Sequence, residues 1–543
     1  MTVPVTTGAV ARAPGVNVEW VSADVPVPAA VRTDVAGFVG LAQRGPAHQP
    51  VRLTSWSQFQ AVFGGYDPRC WLAYAVNGFF ANGADACWVV RVVDPDTAQA
   101  ATALLTPGLT PGSVPGSGSG TGPGQPVLTA TAISPGRWAQ GARLTTVDLG
   151  SGQFSLVVDV PGTREIWPEL SLDDADAQFY GTVLNDPVRG SQIVNLAGPA
   201  DASVGTGTVT LSGGADGLAG LQFGHFSGDL STADGPCGLG ALDTVEEVGL
   251  VVIPDAVSRV APAAAGELPP AFSPGQTACL YNALLVSCAS QHRFALLDEP
   301  FAQDLPADAL AWALTLQQGT TAAAFGSLGY PWLLVADPLG EPGAVLPVPG
   351  SGHLAGVFAL TDLTVGVHKA PANATVVGAL DVAWLVDVAT HGRLNAASIN
   401  AITMRPGRGI RIMGARTLDQ GTTWPYVNVR RLISMIELSL ASSLTWLVFE
   451  PNTPSLQAAV EREIRAFLLS LWQRGALDGA QATDAMTVRC DDTTTTPDDV
   501  AAGRLICLIG VQPPIPAEFV TVRIAITPAG VQVAGEQGGT GGQ

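Results

Sequence analysis

The stretch ALDTVEEVGLVVIPDA occupies residues 241–256, and within it 248–253 (VGLVVI) is an unbroken apolar run. A strand with one wet face alternates apolar and polar residues. A run without alternation fits a strand covered on both faces, in the middle of a sheet. Downstream, 277–289 carries helical spacing, 294–297 reads as a strand, 307–317 as a helix and 332–335 as a strand. Upstream, VAGFVGL (35–41) reads as another buried strand. Trp56, Phe59, Val62 and Phe63 fall at helical spacing in 55–63, 72–80 is a second helical stretch, and CWVVRVV (87–93) is a strong strand. Strands alternating with helices predict an α/β framework on a largely parallel sheet.

Two regions depart from that rhythm. Residues 106–126 hold seven Gly and five Pro, the composition of a flexible linker. Beyond them, short β-like runs such as LVVDV (156–160) and TVTL (208–211) alternate with Gly, Asp and Asn turns, so 96–240 reads as a β-rich variable insertion. From 381 the pattern suggests a separate module. A helix spans 426–440, TWLVF (445–449) reads as a strand, and Thr453-Pro454 supply an N-cap and first helical residue for a helix over 455–473. Strands at 486–490, 504–511 and 519–526 follow. The expected division is an arm at 1–20, framework at 21–95, the insertion at 96–240, a central α/β domain at 241–380, a C-terminal domain with a terminal strand at 381–526, and a flexible tail at 527–543.

Composition narrows function by exclusion. Of 543 residues 13% are charged, and 26 Lys plus Arg against 46 Asp plus Glu leave a net charge of −20. Such a chain is a poor ligand for phosphate backbones or anionic lipid, which argues against nucleic-acid partners and membrane attachment. No signal peptide or 18-residue apolar span is legible. The seven cysteines are widely spaced with no CxxC, which reads as reduced, mostly buried thiols and no disulfide framework or zinc site.

Motifs of catalysis are missing. There is no GxxxxGK[ST], no complete GxGxxG after a strand and no GxSxG, and the single lysine, Lys369, follows no Gly-rich loop. The six histidines are isolated. Asp255, His292 and Ser351 have the order of an acid–base–nucleophile series, but Ser351 lies in a turn-like PGSGH; the plainer reading of Asp255 is a polar residue closing a strand. Asp173, Asp174 and Asp176, and likewise Asp491 and Asp492, read as solvated turns. No catalytic, cofactor or metal residue is expected. One charge pattern remains: Arg405, Arg408, Arg411, Arg416, Arg430 and Arg431 are opposed only by Asp419. They either pair with acids and cover apolar surface within the fold, or form an electropositive face for an acidic protein partner.

Several stretches taken together resemble the tail sheath proteins of contractile phages and related injection systems. They include PGVNVEW (14–20), FVGLAQRGP (38–46), TSWSQFQAVFGG (54–65), LSGGADG (211–217), HKAPAN (368–373), PGRGIRIMGARTL (406–418), WPYVNVRRLISMIELSL (424–440), FEPNTPSL (449–456) and RCDDTTTTPDDVAAGRL (489–505). The resemblance covers roughly 1–95 and 211–526. It implies an α/β and α+β multidomain fold: a central α/β sheet domain likened to subtilisin but non-catalytic, the β-rich insertion facing outward, and a C-terminal α+β sheath domain with extended terminal arms. It further implies stacked hexameric rings around an inner tube protein, contacts with baseplate and tail-terminator proteins, and a contraction that drives the tube through a target envelope. Assembly is expected in a bacterial cytoplasm, as part of a phage tail or a phage-tail-like particle that can be released from the cell. On this reading Val16, Val18 and Trp20, and Phe519, Val520, Val522, Ile524 and Ile526, are arm residues that add strands to a neighbour. Arg462, Arg465, Arg430 and Arg431 are candidates to face the tube. The rival readings are an α/β hydrolase-like enzyme and a surface adhesin.

Overall fold

The computed structural model describes residues 29–105, 127–187, 189–199, 202–232, 235–257, 268–300, 305–320, 322–421, 423–518, 524–527 and 530–533. The 106–126 stretch, Val16, Val18, Trp20, Phe519, Val520 and Val522 lie outside these residues.

The apolar run forms strand Leu250–Val252, fully buried, at the centre of an eight-stranded sheet. The order is Val51–Leu53, Cys87–Arg91, Ala36–Gly40, Leu250–Val252, Phe294–Leu297, Gly326–Tyr330, Ile399–Arg405, Gly409–Ile412. The six inner strands are parallel and the two outer ones antiparallel. Helices cover both faces. Along Ala36–Gly40, Phe38 meets Phe79 edge-on at 5.4 Å, while the Gly37 position lies against Leu242. Successive strand residues point to opposite faces, so these two contacts mark the two layers. Helices Leu72–Ala81 and Ser351–Thr364 approach closely. A Cβ at Gly352 would meet the backbone of Ala75 at 2.4 Å, so the approach depends on glycine there.

Three expectations about this framework change. Residues 332–335 do form a strand, Leu333–Ala336, but it sits in a separate antiparallel sheet between Val345–Val348 and Asp381–Val382. Its place in the parallel sheet is taken by Gly326–Tyr330 (GSLGY), whose small residues carry no strand signature although all five are buried. The sheet also crosses the expected boundary at 380/381, because Ile399–Arg405 pairs in parallel with Gly326–Tyr330.

The insertion has its own core, drawn from residues between Ala101 and Leu211. Around it lie a three-stranded sheet (Thr102–Leu105, Leu128–Ala132, Val194–Ala197) and a four-stranded one (Gly207–Thr210, Arg143–Gly150, Gln153–Val160, Thr163–Ser171). Leu218, Leu221, Phe226 and Leu239 instead belong to the central core, so the insertion ends before the expected 240. It is tied down by Arg69, which bonds Asp67 and Asp216 at 2.7 Å each, and by Arg91, which donates to the carbonyls of Ala42, Gly45 and Pro135.

The C-terminal module pairs helices Val427–Ser443 and Pro454–Gln473. Leu432, Met435, Ile436 and Leu440 of the first pack with Val460, Ile464, Phe467, Leu468 and Leu471 of the second. The Thr453 hydroxyl accepts from Leu456 N–H and Pro454 opens the helix, as the dipeptide implies. The expected strand at 445–449 is instead a 3₁₀ turn, Thr445–Leu447, in the connection between the helices. Leu447 packs against the module's core while Trp446, Val448 and Phe449 are exposed, Phe449 completely, so the run enters no sheet. Strands Met486–Arg489 and Leu508–Val511 form a two-stranded antiparallel sheet. Ile524–Thr527 pairs with Gly530–Val533, which places a strand inside the stretch expected to be a flexible tail.

Candidate functional site

The two-stranded sheet of the C-terminal module has an open side. Its register pairs 486 with 511, 487 with 510, 488 with 509 and 489 with 508. Gln512 N–H donates to Ala485 C=O at 2.9 Å, so 485 and 512 are a hydrogen-bonded pair. In an antiparallel ladder bonded and non-bonded pairs alternate. The pairs 487/510 and 489/508 therefore bond inward, while Val488 and Ile509 direct their backbone groups outward. The outward carbonyl of Val488 is already taken, by Arg465 at 3.1 Å. Ile509, on the other side, makes no backbone bond outside the ladder among the described residues. Leu508 and Ile509 are 60% and 39% exposed. Among the described residues the free edge is thus the 508–511 side, apolar and without a partner strand.

The candidate arginines separate on inspection. Arg430 and Arg431 are buried and cannot face a tube as proposed from sequence. The Arg430 guanidinium lies 4.4 Å from the centre of the Trp424 ring and 4.7 Å from Phe325, and bonds Glu437 at 2.7 Å. Burial pushes it below its ordinary pKa, with Glu437 opposing. Arg431 grips Asp362 through two bonds of 3.1 and 2.5 Å and also donates to Thr33 C=O at 2.9 Å. It therefore welds the C-terminal helix to helix Ser351–Thr364 and to the entering chain. Sequence spacing could not separate these from surface arginines, because helix 427–443 is covered around most of its circumference. Arg465 is half-exposed and also pairs with Glu461 at 2.7 Å. Arg462 is exposed and makes no ion pair among the described residues. Arg416 pairs with Glu518, and Arg411 donates to the Asn373 carbonyl.

The chain enters beside the same module: Val31 N–H donates to Ser439 Oγ at 3.0 Å. Next to it a cavity of about 710 Å³ lies between the sheet and helix Val427–Ser443, lined among others by Val31, Phe294, Met435 and Leu438. Ile524 and Ile526 sit in the hairpin strand Ile524–Thr527.

Asp255, His292 and Ser351 are not brought together. Asp255 accepts from Leu41 and Trp71 N–H at the carboxyl edge of the sheet. Ser351 bonds Asp298, and Asp298 also accepts from its N–H at 2.9 Å. His292 sits 2.9 Å from Glu437. Asp255 and Asp298 thus anchor helices Leu72–Ala81 and Ser351–Thr364 by their amino ends. Asp173, Asp176 and Asp491 cap local turns through bonds to Ala175, Gln178 and Thr493 N–H. No group of three metal-ligating side chains occurs among the described residues. The expectation of all-reduced cysteines is corrected at one pair: Cys490 and Cys507 form a disulfide with Cα atoms 4.4 Å apart. The 17-residue separation hid this, since only ladder register brings the two together.

The chain thus joins a large covered sheet whose edge carboxylates anchor helices to a module whose 508–511 strand has no outer partner among the described residues. Residues 300–418 match the phage tail sheath protein central domain, and 419–527 the phage tail sheath C-terminal domain. Over 300–527, then, the chain is similar to the two domains of phage tail sheath proteins. It is 26% identical over 171 residues to the tail sheath protein of Salmonella phage ViI, and 24% identical over 184 residues to that of Vibrio phage KVP40. The aligned parts are 31% and 33% of this chain and 26% of each relative, so the match spans about a quarter of their length. In fold it is similar to the sheath of an extracellular contractile injection system in its contracted state. The TM-score is 0.55 at 21% identity, over 96% of this chain and 99% of the other. A sheath tail protein from Listeria innocua is similarly close, with a TM-score of 0.56 at 10% identity over 91% and 98%.

Proposed function

We propose that this protein is the sheath subunit of a contractile tail or injection particle. It stacks as six-membered rings around an inner tube, extends from a baseplate and contracts to drive the tube through a target envelope. The observation that carries this reading is the open 508–511 edge. A two-stranded sheet is marginal alone, and an exposed apolar edge is a liability in a monomer. A strand from a second copy would satisfy the outward groups of Ile509 and cover Leu508. Strand addition repeated head to tail links copies through a heterologous contact, which makes a ring where the rotation closes and a helical array where it does not. The terminal segments 1–20 and 519–526 are the source of such strands. The C-terminal module forms the inner wall, with Arg462 toward the tube, and the insertion faces outward. Assembly takes place in the bacterial cytoplasm, and baseplate and terminator proteins close the two ends.

Negative-stain electron microscopy of the purified chain tests this, alone and with an inner tube protein from the same host. Hollow tubes with a helical repeat are expected in at least one preparation. Discrete monomers in both would overturn the reading.

A further inference from the structure

The cavity of about 710 Å³ beside the entering chain is a groove with one long wall. Arg431, Met435, Leu438, Ser442 and Thr445 line it at steps of three and four residues, which is one face of helix Val427–Ser443 continued into the following turn. That face is about 21 Å long at 1.5 Å per residue. Val248 and Phe294, buried at the amino ends of two central strands, form the opposite wall. Arg431 donates to Thr33 C=O at 2.9 Å and Val31 N–H to Ser439 Oγ at 3.0 Å, so the entering chain runs antiparallel to the helix. Its upstream end therefore lies toward Ser442 and Thr445, where the groove wall is exposed. Ala29 is the first described residue. The arginines of the groove already have partners: Arg431 pairs with Asp362, Arg293 with Asp243, and Arg32 with Asp34 and Asp85. What the groove offers an occupant is apolar surface.

We infer that the groove is the seat of the chain's own residues 21–28 (VSADVPVP), which lie outside the described residues. Length fits. Two residues next to Ala29 turn the chain at the open end, and the six that remain span about 20 Å when extended, the length of the wall. Composition fits too. Val21, Val25 and Val27 supply apolar side chains, and Pro26 and Pro28 bring no N–H that an apolar groove would leave unsatisfied. The tether selects this occupant over another copy. Only Ala29 and Ala30 separate the segment from Val31 on the groove's rim. So short a link presents it at an effective concentration on the order of millimolar, which a second copy in dilute solution does not reach. Once seated, the segment sends residues 1–20 out from the Arg431 end of the groove, a fixed point on the module. The seat itself does not depend on assembly; only its role in aiming the arm rests on the sheath reading.

Val25→Cys in the full-length chain, kept below its assembly concentration, tests this by the rate at which iodoacetamide labels the introduced thiol, read by mass spectrometry. Labelling should run on the order of 10-fold slower than in denaturing urea, as for a seat occupied roughly nine-tenths of the time. Adding Leu438→Glu or Ala441→Arg should restore the fast rate. Both positions line the groove, Leu438 half-buried and Ala441 exposed, so neither change strikes the closed core. The slow rate should hold on dilution. Labelling as fast as in urea, or slow labelling that neither groove variant relieves, would overturn the seat. A rate that rises on dilution would give the groove to a second copy's segment and overturn it as well. Normal tubes from a chain whose introduced thiol is unprotected would remove the seat and leave the sheath reading standing.

Discussion

His353 and Asp298 show how far burial moves single residues in this protein. His353 is 3% exposed, its Nδ1 has no partner among the described residues, and desolvation lowers its pKa to about 4. Asp298 is 2% exposed, and burial raises its pKa to about 6 against the opposing bonds from Ser351. Their effects on stability have opposite signs. Between pH 6.5 and 4 the unfolded chain protonates at position 353 and the native one does not, so this residue withdraws stability as pH falls. Between pH 6 and 3.8 the native chain protonates Asp298 first, so this residue adds stability over nearly the same range. Each effect is about 3 kcal/mol, and they largely cancel. Relative to wild type, His353→Gln should therefore gain stability from pH 6.5 down to 4, and Asp298→Asn should lose it. Urea unfolding at several pH values checks this; parallel pH profiles for all three proteins would refute it.

At the scale of elements, the hydrogen-bond phase of one ladder decides what is structural and what is free. The N–H of Leu508 points into the ladder and that of Ile509 points out. Proline removes the donor in either case, and is tolerated where the N–H faces solvent. Ile509→Pro should leave urea unfolding of the chain nearly unchanged and abolish tube formation. Leu508→Pro should destabilise the ladder itself, seen as faster exchange at Arg489 and Gly510. Equal exchange in the two variants would contradict the assigned phase. None of this phase was legible beforehand. The alternation at 486–490 and 504–511 marks strands, but phase depends on where the partner strand starts.

Across the whole molecule, the arginines divide between holding the chain together and facing outward. Arg431 with Asp362 joins three segments far apart in sequence, with both side chains under 5% exposed. Removing one member of a buried pair leaves the other uncompensated, at a cost of about 3–5 kcal/mol. Arg431→Ala should lower stability by that amount. Arg462→Glu should leave stability within about 0.5 kcal/mol of wild type and reduce co-sedimentation with the tube protein. Thermal unfolding and pelleting assays on both variants check the contrast, and unchanged pelleting of the Arg462 variant would remove it from the tube interface.

Sequence alone determined the elements with strong local signals. The uninterrupted run at 248–253, the helical spacing of Trp56 to Phe63, and Thr453-Pro454 before the long helix all appear where expected. The family resemblance was equally legible, since it rests on the order of short motifs. Tertiary structure decided the rest. It seated GSLGY in the sheet, left TWLVF outside any sheet, carried the sheet past residue 380, buried Arg430 and Arg431, and matched Cys490 to Cys507. The physical reason is the same in each case. Local pattern reports what a segment could bury or pair, whereas burial and register depend on what other segments bring to the same place.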